Sequence, residues 1–182
     1  GSPLFTGDGG SGESEIRKWI IENDWLECIV SLPDRMFFNT GITTYIWIVT
    51  NKKSSERKGK VQLIDGTSFS TSMRKNLGDK GRYINEKQIQ ELFDIYQKNE
   101  ENKFCKIYQN SFFGYTKIVV EQPLIEDGDI KTDKKGNRKP DTSKRDSERV
   151  LLSENVDEYY DREVRPHLPD SWIDRSKDKI GY

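Results

Sequence analysis

The densest run of apolar positions lies between residues 25 and 50, WLECIVSLPDRMFFNTGITTYIWIVT, and it predicts two strands joined by an aromatic loop. Residues 26–32 and 42–49 are rich in β-branched and aromatic side chains with little polar alternation, the pattern of strands covered on both faces. The expected sheet is therefore a core sheet with helices on both sides. Pro33 ends ladder pairing and Asn39, Thr40 and Gly41 supply turn chemistry. Phe37 and Phe38 are thereby left at the carboxyl end of the first strand, where open α/β sheets take ligands.

Around this centre the periodicity changes. Ile16, Trp19 and Ile20 fall at helical spacing, with Arg17, Lys18 and Glu22 off the stripe, so residues 13–23 predict an amphipathic helix. The glycine-rich GDGGSGE ahead of it reads as a flexible connector; as a phosphate cradle it lacks a preceding strand and a Lys-Ser/Thr ending. Residues 51–60, NKKSSERKGK, predict a solvated hairpin loop, and residues 61–64 the return strand ending at Asp65-Gly66. Residues 26–66 are thus expected to supply three strands. Residues 67–82 are polar and carry no assignable pattern. Asn85 with Gln88 three positions on is a capping-box signature for a helix through about Lys98, with Ile89, Leu92, Phe93 and Tyr96 on its packed face. Residues 103–120 predict a strand pair around Ser111-Phe112-Phe113-Gly114-Tyr115. Residues 131–149 hold eight Lys and Arg against four acids without apolar periodicity, which predicts a mobile loop whose charge also suits DNA phosphates. In residues 150–182 Val156, Tyr159, Tyr160 and Val164 recur at helical spacing until Pro166 and Pro169 break the run, and His167 between them reads as a surface residue.

Composition narrows the picture. Only 32% of the 182 residues are hydrophobic and 34% are charged, so a compact core is expected in the first part rather than the last. A net charge of −1 announces no overall basic field, so any nucleic-acid contact must come from a local patch. Cys28 and Cys105 have no CxxC spacing and no clustered histidines; they read as reduced, buried and structural, with no metal site, as in a cytoplasmic protein. No apolar run approaches a membrane span and no signal peptide is expected.

The run SPLFTGDGGSGESEIRKWIIENDWLECIVSLP, continued by FFNTGITTYIWIVTNKK and GKVQLIDG, resembles the catalytic domain of the modification subunit of type I restriction–modification systems. The segment DSERVLLSENVDEYYDREVRPHLPDSWIDRSKDKIGY resembles the same family further along. Such subunits are DNA adenine-N6 methyltransferases that use S-adenosylmethionine. The resemblance implies an α/β fold: the C-terminal part of a Rossmann-like methyltransferase sheet, its last three strands mixed in direction, with an appended helical and irregular region. It implies that residues 1–66 are the C-terminal half of the catalytic domain; the changes in composition and charge divide the rest into residues 67–126 (a helix and strand appendage packed on it), 127–149 (a basic, mobile loop) and 150–182 (a short helical region). It also implies double-stranded DNA, a specificity subunit and an endonuclease subunit as partners. Adenine N6 is buried in the duplex, so the base must be flipped into a pocket. In related enzymes an aromatic residue stacks on that base; Phe37 in SLPDRMFFNTGI matches its place, and Phe38, Asn39 and Thr40 stand where DNA contacts are expected. The family's glycine-rich donor loop and its Asn-Pro-Pro-aromatic acceptor motif are not in this sequence. The chain alone is therefore expected to hold neither catalytic nor cofactor-binding residues, and to be inactive.

The competing reading is a non-catalytic methyltransferase-like module for DNA binding or assembly, with Phe37 and Phe38 as an interface patch. A dinucleotide-binding dehydrogenase is excluded by the lack of a GxGxxG after a strand.

Overall fold

A computed structural model describes residues 5–182; residues 1–4 of the expected opening loop lie outside the described residues. The chain forms two compact units, one containing residues 16–110 and the other residues 7–15 with 111–182. Helix α1 (Gly12–Glu22) contributes to both.

The first unit is built on a four-stranded mixed sheet in the order β2-β1-β3-β6, with β1 Leu26–Ser31, β2 Tyr45–Val49, β3 Lys60–Asp65 and β6 Cys105–Gln109. β1 runs parallel to β3 (Cys28 beside Gln62, Val30 beside Ile64), while β2 is antiparallel to β1 and β6 antiparallel to β3. Residues 50–59 are consequently not a hairpin loop. They carry the chain past β1 to its far side, and Lys53 within them is buried rather than solvated. Cys28, Val30, Leu32, Ile64 and Cys105 form the core, and burial pushes the Cys28 thiol up to about 12.

Helix α2 (Glu86–Lys98) starts at the predicted capping box, with the Asn85 side chain accepting from the Gln88 N–H at 2.9 Å and the Gln88 side chain from the Asn85 N–H at 3.1 Å. Its packed face is Leu92, Ile95 and Tyr96; Ile89 and Phe93, expected there, are exposed. A similar correction applies to α1, which buries Ser14 and Ile21 and exposes Ile16 and Trp19. β2 also departs from expectation: it is the sheet's edge, and Tyr45, Ile46 and Val49 are exposed. Residues 67–82, unassigned from sequence, contain a hairpin of β4 (Thr71–Leu77) and β5 (Lys80–Tyr83).

At the carboxyl ends of β1 and β3 the strands close to backbone contact. Gly66 N–H donates to Ser31 C=O at 3.0 Å, and a Cβ on Gly66 would stand 2.4 Å from that oxygen. Gly66→Ala must therefore part the two strand ends, and we expect a loss of about 1–3 kcal/mol, read as a lowered midpoint in urea unfolding. An unchanged midpoint would refute the close approach.

The second unit is centred on β7 (Tyr115–Glu121), paired antiparallel with β10 (Asp146–Leu151) on one side and with β11 (Trp172–Ile173) and β12 (Lys179–Gly181) on the other. The expected strand pair in residues 103–120 is therefore two strands of different sheets, β6 and β7. The doubtful last part has a core of its own, Ile118, Val120, Val150, Tyr160 and Val164. Tyr160 and Val164 come from the expected helical run, α3 (Val156–Tyr159) continued by a π-turn at Tyr160–Val164 and capped by the Asn155 side chain. His167 is exposed. The basic stretch 131–149 is not featureless. A two-residue ladder of β8 (Ile125–Glu126) with β9 (Asp129–Ile130) precedes it, Thr132 bridges Arg138, and its end is β10.

Candidate nucleic-acid interface

The loop after β1 is anchored at its base. Leu32 and Pro33 are buried, and Leu32 N–H donates to Thr44 C=O at 2.8 Å, which brings the loop's two limbs together. Its tip is a tight turn in which Phe37 bridges Thr40, and Ile42 N–H donates to Thr40 Oγ1 at 3.4 Å. The turn thus collects all four expected residues: Phe37 and Phe38 are 47% and 56% exposed, Asn39 is exposed and Thr40 half-buried. Two large apolar rings facing water at one turn are costly to keep unless something covers them in use.

The turn does not hang free, because the β4–β5 hairpin holds it. Arg35 has a left-handed backbone (φ 56°), unusual for a residue with a Cβ. Its carbonyl accepts two N–H groups, from Gly81 at 2.9 Å and Arg82 at 3.2 Å. Asp79 N–H donates to Phe38 C=O at 3.1 Å, Arg82 pairs with Asp34 at 2.8 Å, and the Lys80 ammonium stands 5.1 Å from the Phe38 ring centroid. Gly78, at φ 64°, passes so close that a Cβ would meet Phe38 C=O at 2.8 Å. Sequence reading missed this clamp. Its signal was the Gly78-Asp79 dipeptide between Leu77 and Lys80, a two-residue hairpin turn.

Beneath the loop, Asp65 at the end of β3 accepts from the Thr67 hydroxyl at 2.6 Å, the Thr67 N–H at 3.0 Å and the Ser31 hydroxyl at 3.2 Å, and these donors hold its carboxyl below the usual range. The arrangement offers stacking surfaces and turn polar groups rather than a nucleophile and base. Among the described residues no group of three or more His, Cys, Asp or Glu side chains is placed to hold a metal ion, and no helix is long and apolar enough to cross a membrane.

The other motif singled out, GDGGSG, proves to be a structural joint of the second unit. The Asp8 carboxylate takes Lys117, the Gly9 N–H at 2.9 Å, the Tyr115 hydroxyl at 2.9 Å and Arg149 at 3.3 Å; the Lys117 hydrogen bond first, then those of Gly9 and Tyr115, hold it well below the usual carboxylate range. Gly9 lies against Gly181, where a Cβ would meet backbone at 3.4 Å. The expected flexible connector is thus a packed one, held by the Asp8 carboxylate and the approach of Gly9 to Gly181.

Residues 3–112 match the family model for N-6 DNA methylase. A methylase subunit of the type I restriction enzyme MjaIX from Methanocaldococcus jannaschii is 27% identical over 127 residues, 68% of this chain and 21% of that protein. The MjaVII methylase subunit of the same organism is 32% identical over 92 residues, half of this chain and 16% of that protein. The HindI methylase subunit of Haemophilus influenzae is 47% identical over 55 residues, 30% of this chain and 12% of that protein. Among solved structures, the methyltransferase subunit of a type I restriction–modification system from Streptococcus thermophilus has the same fold over 61% of this chain and 22% of its own, with a TM-score of 0.51 at 22% identity. The chain thus spans about a fifth or less of the length of these relatives. Because the matched residues 3–112 contain the whole mixed sheet, the aromatic loop and its clamping hairpin, the chain belongs to the N-6 DNA methylase family.

Proposed function

We propose that this chain is the target-base side of a type I modification subunit, a DNA methyltransferase that moves a methyl group from S-adenosylmethionine to adenine N6. The observation that carries the proposal is the clamped turn with Phe37 exposed at its tip. A flipped adenine needs a flat apolar face to replace the stacking it loses in the duplex, and a ring held by a fixed backbone supplies one without ordering cost. In this reading Phe37 is the stacking face, while Phe38, Asn39 and Thr40 lie beside the flipped nucleotide. Donor binding and N6 activation belong to parts of the subunit outside these 182 residues, so the chain alone transfers no methyl group. The exposed apolar edge β2 supports this, since Tyr45, Ile46 and Val49 suit a strand with a further neighbour. Specificity and endonuclease subunits would be the partners of the complete protein, in the cytoplasm.

The test is Phe37→Ala in a complete subunit carrying this segment, assayed for adenine methylation and for donor binding. Loss of one base stack is worth about 1–3 kcal/mol, so methylation should fall about fivefold to 150-fold with donor binding kept. Retained methylation with lost subunit assembly would instead make the loop an assembly surface.

A further inference from the structure

The clamping hairpin brings more than backbone hydrogen bonds to the loop. Residues 71–83 and 33–41 together carry five bases (Arg35, Arg74, Lys75, Lys80, Arg82) against two acids (Asp34, Asp79), in a chain whose acids outnumber its bases. Arg82 is spent on Asp34 and Lys80 lies over Phe38. Arg35, Arg74 and Lys75 are exposed and have no carboxylate partner among the described residues. Other exposed cations of the unit, Lys52, Lys98 and Lys106, also lack a carboxylate partner among the described residues; what sets Arg35, Arg74 and Lys75 apart is that they share one backbone-clamped piece with the exposed Phe37 ring. Unneutralised cations on the same rigid piece as an exposed ring are the combination that binds a nucleic-acid strand, the ring taking a base and the cations its backbone.

We propose that the β4–β5 hairpin is a phosphate-binding arm of the aromatic loop, in which Arg35, Arg74 and Lys75 take the DNA backbone phosphates flanking the nucleotide whose base meets Phe37. This rests on the reading of that loop as a DNA-facing element. Arg35 sits within the clamped loop itself, and Arg74 and Lys75 lie on the strand whose partner, β5, donates to it through Gly81 and Arg82. Base and phosphate contacts are thereby held in one frame, as positioning of a flipped nucleotide requires.

The experiment measures binding of a fluorescein-labelled single-stranded oligodeoxynucleotide to the 182-residue chain by anisotropy across a salt series, with circular dichroism confirming that each variant is folded. Replacing Arg35, Arg74 and Lys75 together by Ala should weaken binding at low salt and reduce the slope of log K against log salt by about 2, at roughly 0.7 per phosphate contact on a single strand. Phe37→Ala should weaken binding while leaving that slope unchanged. A control pair, Lys87→Ala with Lys106→Ala, removes exposed charge elsewhere in the same unit and should leave the slope unchanged. The proposal is overturned if the triple variant keeps the wild-type slope, if the control lowers it as much, or if the chain binds no DNA at low salt. It is overturned in favour of a protein partner if labelled poly-glutamate binds as tightly as DNA. A triple-variant effect with no effect of Phe37→Ala would leave the phosphate arm standing and remove the stacking role; the reverse would do the opposite.

Discussion

Asp24→Ala is expected to lower the stability of the first unit by about 3–5 kcal/mol, the usual cost of leaving a buried charge, here the Lys53 ammonium, without its partner. Asp24 sits in the turn between α1 and β1 in a left-handed conformation (φ 57°). Its Oδ1 takes the Lys53 ammonium at 2.6 Å and the Asn110 amide at 2.9 Å, and its Oδ2 the Gly59 N–H at 2.9 Å. Two other segments of the unit, the 50–59 connection through Lys53 and Gly59 and the end of β6 through Asn110, are thus tied to one carboxylate. The Lys53 side chain is 2% exposed and cannot rehydrate, with only the Lys60 carbonyl at 2.7 Å left to it. Urea unfolding followed by tryptophan fluorescence should show the midpoint fall, and Lys53→Met on the Asp24→Ala background should restore part of it. A variant within 1 kcal/mol of wild type would rule out the buried pair as the tie.

The same carboxylate makes a pH prediction with a definite sign. Burial works against ionisation of Asp24, but the hydrogen bonds from Lys53, Gly59 and Asn110 outweigh it and hold the carboxyl below its ordinary value. A depressed folded-state pKa gives stability that is present above the unfolded value and lost as pH falls through the folded one. Acidification below about pH 4 should therefore cost Asp24→Asn less stability than it costs wild type. Asn tolerates the left-handed backbone, so the difference isolates the charge.

What the sequence made legible was local. The capping box at Asn85 and the strand at residues 26–32 depend on neighbours a few positions away and stand where expected, while the turn expected at Asn39-Thr40-Gly41 falls one position earlier, at Phe38 and Asn39 between Phe37 and Thr40. Pairings that skip along the chain were not legible. β3 pairs parallel with β1 across an intervening strand, so the polar run at residues 51–60 looked like a hairpin loop although Lys53 within it is buried. β2 misled in the opposite sense: YIWIV has the composition of a covered strand, yet in this chain it is an edge. Ile16, Trp19, Ile89 and Phe93 are likewise apolar at positions this chain leaves exposed. Apolar periodicity reports that a face is to be covered, not which part of a protein covers it. For the candidate interface, an aromatic loop holding Phe37 and Phe38 after the first strand was legible, whereas its clamp depends on carbonyls of residues 35 and 38 meeting N–H groups some forty positions on, and backbone pairing of that kind leaves little trace in side-chain pattern.

Removing both Arg145 and Lys177 should damage the second unit more than removing the acid they share. Glu121, the last residue of β7, is 1% exposed; its Oε1 receives Arg145 Nε at 2.8 Å and Lys177 Nζ at 2.6 Å, while its Oε2 is buried and accepts no hydrogen bond. The two cations are 37% and 39% exposed at their side chains, so each can return to water when the acid is gone. The carboxylate has no such route. Lys177 also keeps Asp174 at 2.8 Å. Arg145→Ala and Lys177→Ala taken singly should each cost about 1.5 kcal/mol, the lower range for a hydrogen bond to a charged group. The pair should cost about 3–5 kcal/mol, because it strands a buried charge. Glu121→Gln, which keeps the shape and one acceptor, should cost less than the pair. Urea unfolding of the four variants, followed by far-ultraviolet circular dichroism, decides the matter. A Glu121→Gln variant less stable than the Arg145→Ala, Lys177→Ala pair would show that the cations, not the buried carboxylate, carry the penalty.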